Sequence, residues 1–269
     1  MKLFLKILKI LFSSIFLVLI LGLLYFFLLS PKEERFIFAG HLQGSLLSQQ
    51  MFEVLTCQYP DYSDAYFEQP VAFNKYGNFA KGFELLDQAV ELDPYMHLGY
   101  RGYMKLRFLR DFDGALKDFN RLDSLTPNVV DAAWGEDIDF LRGECFYGKK
   151  VYQKAIEMFN RNIKNHTEEW VDINSMVYLG LSEYELGNYE KSISEFNRAL
   201  NQSEYTAEAY FGIAKAHHKL GEVDEAKENI VLAEKNIGYK RDDAYSEYLN
   251  EIYLFEILYL KQKLNLGIQ

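Results

Sequence analysis

Cysteine, proline and histidine are scarce in this chain of 269 residues, and each scarcity closes off a class of function. Two cysteines, Cys57 and Cys145, are too few for a disulfide framework, and both read as ordinary buried thiols. The five histidines are scattered except for His217 and His218, whose side chains diverge by about 100° on a helix and cannot share one metal from one face. No Gly-rich phosphate loop, nucleophile elbow or HExxH pair occurs. Basic residues number 29 against 39 acidic ones, which argues against a nucleic-acid partner, because affinity for phosphate comes from clustered Lys and Arg. The reading therefore contains no catalytic residue, no cofactor and no resident metal.

What is present begins with the residues 10–29, a run of 20 without one charged side chain. At about 1.5 Å per residue it is about 30 Å of helix, enough to cross a bilayer core. The run is longer than the apolar region of a cleaved secretory signal, and no small-x-small cleavage site follows it: Phe38-Ala39-Gly40 has Phe where a small residue belongs. No Cys directly follows the run, so a lipoprotein signal does not fit either. The segment 1–30 reads as an uncleaved signal anchor, with the bilayer as a partner. Lys2, Lys6 and Lys9 precede it, whereas Lys32 and Arg35 on the other flank are joined by Glu33 and Glu34. Only Lys and Arg count in the positive-inside rule, so this bias predicts a cytoplasmic N-terminus and a body in the periplasm or outside. All three leading lysines lie before Ser30, which leaves the body more acidic still than the formal −10 of the whole chain.

The body repeats itself. Residues 173–206 and 207–240 are two copies of a 34-residue unit that match in kind. Met176 aligns with Tyr210, Leu179 with Ile213, Gly180 with Ala214, Leu186-Gly187 with Leu220-Gly221, Ser192 with Ala226, Phe196 with Ile230 and Ala199 with Ala233. Each slot has a physical purpose. A small residue at 180 or 214 lets one helix approach the next, and glycine at 187 or 221 supplies the left-handed residue past a helix end. Carried upstream, the frame gives units at 136–169 (Gly143, Phe146, Tyr152, Ala155, Phe159), 96–129 (Phe112, Ala115, Phe119, Pro127) and 63–96 (Tyr76-Gly77, Phe79, Ala89, Pro94). A degenerate unit occupies 31–62, and insertions fall at 130–135 and 170–172. Pro60, Pro94 and Pro127 should end helices, and Pro70 should kink or delay one. After residue 240, Tyr245, Tyr248, Leu249, Ile252, Phe255 and Tyr259 recur at helical spacing, so 241–269 reads as a capping helix for the array, the alternative being a partner-binding helix if Tyr253 and Tyr259 are exposed.

On these residues the chain resembles the tetratricopeptide repeat (TPR) family over roughly 63–240. Departures are Glu183 where Tyr is usual, Ser192 in place of Ala, and no closing Pro in the last two units. The resemblance implies an all-α, TPR-type α-solenoid, a right-handed superhelix of helix pairs, here preceded by a single transmembrane helix. It also implies a concave groove lined by the first helix of each pair, which binds a protein or peptide. The matching positions give Phe67 and Asn74 in the first unit, Tyr100, Arg107 and Phe108 in the second, and Phe140 and Tyr147 in the third. The fourth and fifth add Tyr184, Phe211, Lys215 and His218. An aromatic at such a position serves either a partner or the packing between neighbouring helices. Phe67 and Val71 stand where a chaperone-tail clamp would need Lys and Asn, so that specialised function is not expected.

The function expected is a membrane-anchored, non-enzymatic scaffold of protein–protein or peptide binding, facing a bacterial cell envelope. The alternatives are a cytosol-facing adaptor that recruits a soluble partner to the membrane, and a metal-dependent or enzymatic site in the groove at His218 with neighbouring acids.

Overall fold

The computed structural model describes residues 2–127, 129–239 and 248–265. Except for one two-residue hairpin, its regular structure is helical. The chain divides into two compact units, Met1–His97 and Leu98–Gln269.

The first unit opens with α1 (Lys2–Leu29), whose residues 6–29 form a stretch of 24 long and apolar enough to cross a membrane, none of it buried. After Pro31 come α2 (Lys32–His41) and α3 (Leu46–Gln58), which pack together. Ala39, Met51, Phe52, Leu55 and Ala65 form their core, with Phe26 and Phe27 of α1 packed against it. Pro70 splits the next helix into α4 (Ser63–Glu68) and α5 (Pro70–Lys75), as a residue without an N–H requires, and both halves pack on α6 (Phe79–Leu92). Pro60 follows the end of α3. Pro94 does not only close α6; it also opens α7 (Pro94–Met104), within which the two units divide.

The second unit continues from α7 through a π-helical turn, Lys105–Leu109, into α8 (Phe112–Leu125). The insertion at 130–135 supplies the first strand and turn of a hairpin, β1 (Ala132–Ala133) with β2 (Glu136–Asp137). Trp134 and Gly135 both have positive φ, 53° and 83°, the geometry of a tight two-residue hairpin turn. Glu136, placed by the repeat frame at the start of a helix, is consequently in a strand. Three helix pairs follow: α9 (Ile138–Gly148) with α10 (Tyr152–His166), α11 (Asn174–Glu185) with α12 (Tyr189–Gln202), and α13 (Ala207–Leu220) with α14 (Val223–Asn236). Each pair also packs on the next, α10 on α11 and α12 on α13. Phe196 shows how closely: a Cβ on Gly180 would lie 2.7 Å from its ring and one on Gly212 2.2 Å. Gly187 and Gly221 both take positive φ at helix ends (80° and 82°). The described helix of the C-terminal segment is α15 (Leu254–Lys263). Its Ile257 and Leu260, with Ile252 and Leu264, close over Ala207, Ala214, Ala226, Ile230 and Ala233.

Cysteine placement differs from the sequence reading. Cys145 is buried, but Cys57 is exposed near the end of α3, because the face of that helix that meets the core carries Met51, Phe52 and Leu55; both are free thiols.

Replacement of Gly180 by Leu is expected to cost about 1–3 kcal/mol or more by overpacking against Phe196. Thermal denaturation of the purified protein checks this, and an unchanged Tm contradicts the helix spacing described.

Candidate binding site

The second unit encloses a charged hub. Arg107 sits in the π-helical turn and is fully buried, as is Glu144 on α9. One Arg107 Nη donates to Glu144 at 2.6 Å and the other to Glu136 on β2, also at 2.6 Å. Tyr178 on α11 donates its hydroxyl to the same Glu144 oxygen at 2.6 Å. Burial opposes the Arg107 charge, but the two facing carboxylates outweigh it and hold the guanidinium protonated beyond its usual range. Burial pushes the Glu144 carboxyl up to about 7, with Arg107 opposing. π-helical turns recur at functional sites in proteins, and here one carries the buried cation.

The chain's own C-terminal segment covers this hub. Tyr248 lies over Arg107, ring centre to Cζ 3.9 Å, and its hydroxyl donates to Glu136 at 3.2 Å. Leu249 donates its backbone N–H to the Tyr178 hydroxyl at 2.9 Å, and Asn250 donates to the side-chain oxygen of Asn174 at 2.7 Å. The helical spacing read from Tyr248 to Tyr259 therefore holds only from Leu254 onward. Residues 248–253 are an irregular strap, since a backbone N–H committed to a distant hydroxyl is not available to a helix. Tyr245, part of the same expectation, lies outside the described residues.

Beyond the strap a cleft remains open, with a volume of about 650 Å³. Tyr184 of α11, Phe211, Lys215, His218 and Lys219 of α13, and Phe255, Glu256, Tyr259, Leu260 and Lys263 of α15 line it. Lys215 is half-buried, its Nζ 4.5 Å from the centre of the Tyr184 ring and 5.6 Å from that of Phe211. Burial holds its pKa below the usual lysine range, with Glu185 and Glu256 opposing. Lys263 lies 4.5 Å from the Tyr259 ring. Cations held on aromatic faces above an apolar floor suit a ligand that brings both carboxylates and apolar side chains.

The structure thus distributes the residues anticipated from the repeat frame. Tyr184, Phe211, Lys215 and His218 converge on the open cleft. Arg107 and Phe140 are buried under the strap, Phe140 with its ring 6.4 Å from that of Tyr248. Tyr147 is half-buried against Tyr152 and Tyr178, and Phe108 packs near Tyr103. Tyr100 meets Trp134 of the hairpin at 4.5 Å. In the first unit, Phe67 stacks on His97 at 4.8 Å and Asn74 is buried where Gly82 leaves room for it. Phe255, Glu256 and Lys263 line the cleft without having been expected at a site. The signal was available, because Phe255, Tyr259 and Lys263 follow each other at every fourth residue and share one helix face. His217 pairs with Glu222 at 2.6 Å, and among the described residues no group of three His, Cys, Asp or Glu side chains could hold a metal ion.

Comparison with known proteins agrees with the helix-pair fold. Residues 180–221 match the family model described as TPR repeat. No curated protein matches the chain. Among solved structures, the chain is similar to YrrB, a TPR protein with an unusual peptide-binding site. Their identity is 14% and the TM-score 0.55, over 78% of this chain and 97% of that one. It is similar to PilW, a widely conserved type IV pilus biogenesis factor, at 14% identity and a TM-score of 0.58, over 72% of this chain and 86% of that one. It is also similar to MamA from Desulfovibrio magneticus RS-1, at 16% identity and a TM-score of 0.56, over 67% and 97%. The fold is all-α and similar to that of these TPR structures, with an apolar helix at the N-terminus.

Glu144 makes stability pH-dependent in a stated direction. Its folded pKa of about 7 lies above the ordinary 4.5, so its contribution is fully present below about pH 4.5 and is lost as pH rises through 7. The stability of the wild type relative to Glu144→Gln should fall across that window by on the order of 3 kcal/mol and stay level above it. Denaturant titrations of both proteins from pH 4.5 to 8 measure this, and a difference that is flat or rises with pH contradicts it.

Proposed function

We propose that the protein is a membrane-anchored TPR scaffold that binds an acidic segment of another protein in the cleft between α11, α13 and α15. The observation that carries this reading is the cleft itself: Lys215, Lys219, Lys263 and His218 gather there, with Glu256 as its lining acid, on a chain of formal net charge −10. A local reversal of the prevailing charge attracts a partner of opposite sign and orients it, while Tyr184, Phe211, Phe255 and Tyr259 offer the aromatic anchors typical of protein interfaces. The similar YrrB structure, that of a TPR protein with an unusual peptide-binding site, supports a binding function for such an array.

Anchoring is assigned to α1, and the lysines that precede its apolar run support a cytoplasmic N-terminus with the repeats on the far side, in a bacterial envelope. A compartment-sensitive reporter fused to the C-terminus is expected to be active outside the cytosol. Activity confined to the cytosol turns the protein into an adaptor that recruits a soluble partner to the membrane.

The cleft is tested with a photo-crosslinking residue in place of Tyr259 in native membranes. Capture of a partner should fall about tenfold, the equivalent of about 1.4 kcal/mol, when Lys219 and Lys263 are both changed to Glu. It should weaken in high salt. Lys191→Glu, an exposed change on α12 away from the cleft, should leave capture intact. Capture indifferent to the charge of the cleft contradicts the reading.

A further inference from the structure

The first unit carries an apolar surface that its own core does not use, beside the end of α1. The joint there is built of side chains. Ser30 donates its hydroxyl to the carbonyl of Phe26 at 2.5 Å, Arg35 donates Nη1 to that of Phe27 at 2.9 Å, and Gln58 donates to that of Leu28 at 3.4 Å. Of these three carbonyls in the last turn of α1, which a helix ending in water leaves to solvent, one is met by Ser30 at the helix end and two are held by α2 and α3. Arg35 is itself fixed: it is buried, donates to the Gln58 side-chain oxygen at 2.7 Å and to the Tyr59 hydroxyl at 3.3 Å, and lies 5.6 Å from the Tyr59 ring centre. Lys32 lies over the Tyr62 ring at 4.7 Å. The last turn of α1 is thus fastened to the fold of this unit.

That attachment fixes the level at which α2 lies. The ring of Phe38 on α2 meets the ring of Phe26 on α1 at 5.1 Å. Phe26 is one turn inside the 24-residue apolar stretch, so α2 runs alongside the last turn of that stretch. Ile37 is 57% exposed and Phe38 40%. On the neighbouring first turn of α3, Leu46 is 76% exposed and Leu47 is exposed too. Ser48 joins the two helices there, donating to the carbonyl of Ala39 at 2.8 Å.

We propose that the α2–α3 hairpin is seated in the lipid interface, with the bilayer surface as the partner of Ile37, Phe38, Leu46 and Leu47. This rests on the reading that α1 spans the membrane. The patch adjoins α1 through the contact of Phe38 with Phe26, at the end of the apolar stretch, which argues for lipid as the occupant. Glu33 and Glu34, exposed on the first turn of α2, make the contact apolar and not an attraction to anionic lipid. Amphipathic elements of this kind bury their apolar face at the boundary of headgroups and acyl chains. The consequence is a domain that stands on the membrane in one orientation.

The test uses the full-length protein in phosphatidylcholine vesicles, with Trp134→Phe and Trp170→Phe removing the native tryptophans. One tryptophan is then introduced as Ile37→Trp, as Leu17→Trp within the apolar stretch, or as Tyr76→Trp at a position 80% exposed. Emission from Ile37→Trp should be blue-shifted relative to Tyr76→Trp and lost to lipids brominated near the carbonyl end of their chains. Leu17→Trp should be quenched most by bromine placed deeper. Unquenched Ile37→Trp with quenched Leu17→Trp overturns the proposal while the anchor stands. Unquenched but blue-shifted Ile37→Trp means that a second copy or another protein covers the patch, which also overturns it. If Leu17→Trp is not quenched either, the spanning reading fails and the proposal falls with it.

Discussion

The buried pairing of Arg107 with Glu144 is the constraint on which the second unit depends. An ion pair taken out of water is expensive, and removing one partner of such a pair typically costs about 3–5 kcal/mol because the other charge stays buried alone. Further hydrogen bonds and ring contacts around the pair offset part of that cost. Glu136 from the hairpin, Tyr178 from α11 and Tyr248 from the strap supply them. Contributions from three further stretches of chain converge on one guanidinium and one carboxylate. The hub therefore ties together the π-helical turn, the hairpin and the C-terminal segment, elements that contact between neighbouring repeats alone would not fix.

Function follows from where the strap goes next. Having covered the hub, the chain enters α15, which closes over the alanines of α13 and α14 and presents Phe255, Tyr259 and Lys263 to the cleft. One C-terminal segment thus covers the hub, packs over the last helix pair and builds a wall of the cleft that stays open. An array end left uncovered would expose the apolar face of its last pair. The cationic cleft and the cap are the same piece of structure, so a change that loosens the strap should disturb both.

The repeat architecture was legible because its signals are local and periodic. Gly180 opposite Phe196, the positive-φ glycines 187 and 221, and the helix-limiting prolines each act within about one unit, and each is in place in the structure. Pro70 divided its helix for the same local reason. Four of the anticipated groove residues meet at the cleft. The remainder depended on contacts between distant residues. Nothing near Arg107 in the sequence says that residue 144 will neutralise it or that residue 248 will cover it. Tyr248 and Ile252 fit a helical period, yet their partners pull the backbone into a strap. Trp134-Gly135 sits in an insertion where the repeat frame is silent, and Cys57 shares a helix with core residues but points away from them.

The two units share one logic at different sites. In each, a buried arginine fastens a segment that periodicity alone leaves free: Arg35 fastens the apolar helix and Arg107 fastens the C-terminal strap. The central claim, that the strap is held on the hub and leaves the cleft as the open binding surface, is read most directly at one amide. Leu249 donates its N–H to the Tyr178 hydroxyl. Residue-resolved hydrogen exchange on the native protein should find that amide protected to a degree comparable with the amides of α9 and α11. Exchange of Leu249 at the rate of an unstructured peptide would contradict the account.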